Sequence, residues 1–275
     1  MIDPKFQWAN QIDVTNACMK KCSNCTRLLT HVEKPFYMEL DFFEQAVTAL
    51  KDFPTDSPAS PYVPAKYKVV GMIGGEPMMH PHFKKMCLIM EDIIPDRNHR
   101  GLWTGVKWQT TAYANLISRV FGYVNNNQHN TNCEHTPVLV SISDVVQDKD
   151  EQKRLINNCW LQRLWSATIT PKGYFFCEVA GAMDMVFNGP GGLPVEPECW
   201  NRPLTDFQEQ IDRCCYRCGI PLNLKGRKDY EDVDDISPSN LKDLQNSPSV
   251  KKGNYVLYDL SVPTEHDSRP WQYLK

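Results

Sequence analysis

The chain has 275 residues, 41% of them hydrophobic, and a formal net charge of −3. That is enough for one sizeable core with an appended subdomain, and the weakly acidic balance excludes a general nucleic-acid binder, whose surface would be basic. The opening "MIDPKFQWANQ" has no apolar export segment, and no apolar run approaches the roughly 18 residues of a membrane span, so a cytoplasmic protein with no membrane partner is expected.

In "QIDVTN" Ile12 and Val14 alternate with polar residues, which predicts a strand. It leads into "NACMKKCSNC", which spaces Cys18, Cys22 and Cys25 as C-x3-C-x2-C. "DFFEQAVTALKDF" predicts a helix: Phe43, Val47 and Leu50 share a face, and Asp41 with Glu44 resembles a capping box. "PTDSPASPYVPAKY" is Pro-rich and reads as a surface connection. "KVVGMIGG" suits a buried second strand, and "HPHFKKMCLIMEDII" a second helix closed by Pro95. "LWTGVKWQTT" predicts a third strand, "AYANLISRVFGYV" a third helix and "PVLVSIS" a fourth strand. Strand and helix alternate, which argues for an α/β fold with a parallel sheet or partial barrel. Beyond about residue 155 the rhythm changes. "WSATITPKGYFF" predicts a hairpin turning at Pro171 to Gly173, and the acidic stretch from about residue 225, "KDYEDVDDISPSN", has no period and reads as solvated surface.

Eleven cysteines in a chain without an export segment point to metal or cluster ligation rather than disulfides. Cys87 and Cys133 stand isolated and read as small buried hydrophobes. The front triplet is the informative group. Structural zinc sites and iron–sulfur clusters normally take four protein ligands, and the nearest further candidate is His31. Three ligands leave a metal position open for something that reacts.

The triplet after a first strand, followed one strand–helix unit later by Gly74-Gly75-Glu76-Pro77, resembles the signature of the radical S-adenosylmethionine superfamily. The resemblance implies a truncated, partial parallel β/α barrel. It implies a 4Fe–4S cluster on Cys18, Cys22 and Cys25 whose open iron chelates S-adenosyl-L-methionine. Gly74 and Gly75 then let the backbone approach the cofactor, and Glu76 accepts from its ammonium. By position, Thr110 and Ser141 are implied as further cofactor contacts, with barrel-end hydroxyls bonded to backbone as the alternative. One departure is Asn24, where relatives carry an aromatic residue near the adenine.

The late cysteines resemble the SPASM module or its shorter relative, the twitch subdomain. There a hairpin and a later C-x2-C close an auxiliary 4Fe–4S cluster, here implied at Cys159, Cys177, Cys215 and Cys218. Cys214 or Cys199 could replace one of these, and a zinc ribbon is the bland alternative. A free Cys214 beside the cluster would be either an inert spare thiol or a hydrogen-atom donor, a catalytic role. The implied organisation is a radical core over residues 1–157, an auxiliary-cluster subdomain over 158–224 and a polar extension over 225–275. Implied partners are a small-molecule or peptide substrate and an external one-electron reductant such as flavodoxin or ferredoxin. Dehydrogenation or epimerisation of a small natural-product-like molecule is the expected outcome. Peptide modification, nucleotide rearrangement and, in another class, a non-catalytic zinc-stabilised binding protein are the alternatives.

Overall fold

The computed structural model describes residues 1–54, 66–127 and 133–261. The Pro-rich connection falls almost wholly outside the described residues.

Strand β1 (Ala9–Asp13) leads through the cysteine loop to helix α1 (Leu40–Leu50), followed by β2 (Val69–Ile73), α2 (Phe83–Ile93), β3 (Arg100–Thr104), α3 (Ala114–Val120) and β4 (Tyr123–Asn126). Next come β5 (Glu134–His135), short helices α4 (Ile142–Val145), α5 (Lys149–Asn157) and α6 (Leu161–Leu164), then β6 (Ser166–Thr170) and β7 (Gly173–Phe175). Helices α7 (Glu178–Val186) and α8 (Gln208–Cys214) precede a C-terminal segment of β8 (Arg227–Lys228), β9 (Asp234–Ile236), α9 (Pro238–Asp243), α10 (Pro248–Lys251) and β10 (Tyr255–Leu257).

The main sheet has six strands in the order β4-β3-β2-β1-β6-β7. All neighbours are parallel except β6 and β7, so this is a mixed α/β fold with an open, partial barrel-like sheet. Alternation along the strands sorts the side chains. Ile12, Val70, Met72 and Leu102 enter a core shared with Phe43, Val47 and Leu50 of α1, Phe83, Met86 and Met90 of α2, and Ile117 and Val120 of α3. The opposite face gathers Trp8, Ala9 and Val69 against Trp103 and Tyr123. Gly71 and Gly101 seat the Trp103 ring there: a Cβ on either would lie 2.3 or 2.7 Å from it.

The structure corrects four expectations. Helix α1 starts at Leu40 and its N-cap is Glu39, so Asp41 and Glu44 form no capping box. The third strand ends at Thr104, and "WQT" forms a 3₁₀ turn. The fourth parallel strand is β4, inside the stretch expected to end α3, while "PVLVSIS" is a buried bend leading into α4. A four-residue apolar run fits either a strand or a buried bend. Its backbone partners are not in the sheet: the Val138 carbonyl accepts from Gly219 N, and the Leu139 carbonyl from Ser237 N. The acidic stretch is not solvated surface. Asp229, Asp234 and Asp235 are buried, and β9 pairs in parallel with β10.

The β6–β7 hairpin turns where the sequence predicts it, with Thr170 opposite Gly173. It is hydrogen-bonded into the main sheet through β6 and β1, rather than standing apart from it.

Candidate active site

The cysteine loop is locked to the end of β2 by backbone bonds. Gly75 N donates to the Thr15 carbonyl at 2.6 Å, and Glu76 N to the Ala17 carbonyl at 2.8 Å. The glycines are required by this approach. A Cβ on Gly74 would lie 2.2 Å from the Thr15 carbonyl oxygen, and one on Gly75 2.3 Å from that of Ala17 and 2.9 Å from Cys18 Cβ. Here the close backbone approach is therefore to the cysteine loop itself.

Cys18, Cys22 and Cys25 are part-exposed, unbridged, and line a cavity of about 480 Å³. Gly74, Gly75, Glu76, Thr104 and Gly105 line it as well. Burial pushes the Cys22 thiol up to about 12, helped by Cys25, Asp229 and Cys18. Burial likewise pushes Cys25 up to about 11. Three thiols placed this way ionise readily only when a cation joins them. Glu76 is buried, and its carboxylate accepts from the Thr104 hydroxyl at 2.8 and 3.0 Å and from Gly105 N at 3.0 Å. Burial raises its pKa, partly opposed by these bonds.

The cavity wall also includes Gln11, Arg27, Trp103, Trp165 and Glu178. Arg27 pairs with buried Asp13, and its Nη1 donates to the Glu178 carbonyl at 2.7 Å. The Gln11 side chain lies against Ser166 Oγ; with its amide turned so that both ends find partners, it would donate to the Glu178 carboxylate and accept from Trp103 Nε1. Burial lifts Glu178 to about 7 against the pull of Arg27.

Two residues taken as cofactor contacts lie elsewhere. Thr110 is exposed and its hydroxyl donates to the Lys107 carbonyl. Ser141 caps α4 and donates to the Tyr216 carbonyl. Neither lines the cavity. Thr104, at the true end of the third strand, is the hydroxyl that reaches Glu76. His31 is also engaged elsewhere, with Asp234 at 3.0 Å and Ser247 at 2.9 Å.

Asn24 has a different role from an adenine contact. Its backbone is left-handed at φ 50°, and its side chain donates to Asp235 Oδ2 at 2.8 Å and accepts from Asp235 N at 2.9 Å. Its own N–H donates to Asp234. The C-terminal segment thus covers the cysteine loop. Sequence reasoning missed this, along with Gln11, Arg27, Trp103, Thr104, Cys133, His135 and Glu178. The inward alternation of Gln11 on β1 and Trp103 on β3 was the available signal for two of them.

A second, apolar cavity of about 30 Å³ is lined by Cys159, Cys177, Cys214, Cys215 and Cys218, and not by Cys199. After burial, the charges that push Cys215 upward come first from Cys218, Cys177 and Cys159. Cys214 answers instead to Arg213, which draws it down against its burial. Cys214 is buried in this second cavity and does not line the first. Among the described residues no three thiol, imidazole or carboxylate groups converge tightly enough to hold a single metal ion. The thiols stand around cavities. An all-sulfur donor set of this kind suits soft metals and iron–sulfur clusters.

No family profile matches the chain, and no curated protein matches it. Among solved structures it is similar to the crystal structure of BtrN in complex with AdoMet and 2-DOIA, at 14% identity and a TM-score of 0.41, over 77% of this chain and 92% of that one. No helix among the described residues is long and apolar enough to cross a membrane.

Proposed function

We propose that the chain is a radical S-adenosylmethionine enzyme with an auxiliary cluster. The observation that carries this reading is the shared cavity. Three thiols of one loop and the Gly74-Gly75-Glu76 turn of another wall the same space, with a buried carboxylate between them. Cys18, Cys22 and Cys25 would hold a 4Fe–4S cluster with one open iron, and Glu76 would take the ammonium of the methionine moiety. When bound, the reduced cluster and S-adenosylmethionine supply a 5′-deoxyadenosyl radical that removes hydrogen from a substrate carbon.

The chain's own residues do the rest. Thr104 and Gly105 orient the Glu76 carboxylate. Gln11, Trp103 and Glu178 add polar groups and an aromatic face to the same cavity wall, and would contact the substrate. The proposed substrate is a natural-product-like small molecule rather than a peptide. Cys159, Cys177, Cys215 and Cys218 would close the auxiliary cluster and accept the electron when the product is an oxidised one. An external flavodoxin- or ferredoxin-like carrier completes the partner set.

The deciding experiment is iron and sulfide content after anaerobic reconstitution, in the wild type and with Cys18, Cys22 and Cys25 all changed to Ala. About eight irons should fall to about four, and release of 5′-deoxyadenosine should vanish. About four irons in the wild type would remove the auxiliary cluster. Zinc without iron would leave the binding-protein reading standing.

A further inference from the structure

We propose that Cys133, paired with His135, is the hydrogen-atom donor of the main cavity, returning hydrogen to a carbon radical formed there. This rests on the radical reading above. Isolation in the sequence had marked Cys133 as core, yet it is part-exposed and lines the cavity together with Cys18, Cys22, Cys25 and Glu76. His135 lines it too.

The pair has a defined polarity. His135 Nδ1 lies 2.8 Å from the Ser23 carbonyl oxygen. A carbonyl accepts, so Nδ1 carries the ring proton and Nε2 presents its lone pair. Nε2 is 3.6 Å from Cys133 Sγ, so the thiol hydrogen points to it. Anchors on several sides hold this geometry. Asp229 N donates to the Cys133 carbonyl at 3.1 Å, and Asn24 Nδ2 to that of His135 at 3.3 Å. The strand β5 pairs with β8, and Glu134 bridges to Lys228 at 2.7 Å. Burial and the charge of Asp229 favour the protonated thiol over thiolate, the form that carries a hydrogen atom.

The step balances as follows. The Sγ–H bond of Cys133 breaks and a C–H bond forms on the radical carbon; the S–H bond is the weaker of the two, so transfer runs downhill. The thiyl sulfur left behind takes one electron from a reduced iron–sulfur or flavin carrier. It takes one proton from solvent by way of His135. Product then leaves with one solvent-derived hydrogen and no net oxidation.

The test has three readouts on the full chain. In the protein before reconstitution, prolonged native iodoacetamide labelling at alkaline pH, where the thiolate forms, should modify Cys133 while buried Cys87 and Cys199 stay unmodified. After reconstitution, Cys133→Ser and Cys133→Ala should keep the wild-type iron content and electron paramagnetic resonance spectrum. In D₂O, with S-adenosylmethionine, dithionite and no added thiol or substrate, wild-type 5′-deoxyadenosine should gain one mass unit, because the thiol exchanges with solvent. Both variants should lose that shift while still releasing 5′-deoxyadenosine. An unlabelled Cys133, equal deuteration in the variants, or iron lost from them would each overturn the proposal; iron loss would make Cys133 a ligand instead. Release of 5′-deoxyadenosine without deuterium in the wild type would sink this donor and leave the radical reading intact. No release at all would sink both.

Discussion

A methyl group at position 75 has nowhere to go, since the Ala17 carbonyl and Cys18 Cβ already occupy its space. Gly75→Ala should therefore cost about 1–3 kcal/mol in urea unfolding, the usual scale of overpacking, and lower the iron retained after reconstitution. Thr104→Val keeps the shape and removes the hydroxyl shared by both Glu76 oxygens. It should cost about 1–3 kcal/mol for the underpaired buried carboxylate and weaken S-adenosylmethionine binding. Glu178 sets a pH dependence. Its folded value, about 7, lies above the ordinary 4.5 because of burial. The native state holds that proton more tightly, so the stabilisation is complete below about 4.5 and is lost as pH rises through about 7. Unfolding free energy should fall across that window by at most about 3 kcal/mol, and Glu178→Gln should flatten this part of the profile.

Among elements, the C-terminal segment contributes most beyond the barrel-like core. Asn24 bonds to Asp234 and Asp235, and Asp235 is clasped by Arg227 at 2.6 Å. Asn24→Ala removes the side-chain half of this contact. It should make the segment from residue 227 onward more sensitive to limited proteolysis and speed alkylation of Cys22 and Cys25. That segment was illegible in the sequence because its carboxylates are buried by partners more than 200 residues away, which no local pattern records. Strands β1 and β2, helices α1 and α2 and the hairpin were legible because each carries its own period or turn residues. The fourth strand was not. Tyr123 to Asn126 is half-polar, while the apolar 137–140 run competes for the same assignment. The cysteine triplet and Gly-Gly-Glu turn were legible as motifs. The part of the wall made by Arg27 and Glu178 was not, since the two meet across 151 residues.

At the scale of the whole molecule, the two thiol-lined cavities share a boundary at the start of α7. Cys177 lines one and its neighbour Glu178 the other, with Arg27, two residues after Cys25, bonded to the Glu178 carbonyl. A rigid link of this kind should make the sites interdependent. With both sites loaded as proposed above, Arg27→Ala should disturb the spectrum of the late-cysteine site as well as that of the front one, which resonance spectra of each singly loaded variant would reveal.

The embrace of the cysteine loop by Asp234 and Asp235 also orders events during synthesis. The residues that hold Asn24 are made some 210 positions after it. Strand β6, which flanks β1, is itself more than 150 residues behind it. A nascent chain thus carries its three front thiols uncovered until that segment has been made. Metal delivered before then would meet a loop without its cover, and the finished site waits on residues far along the chain.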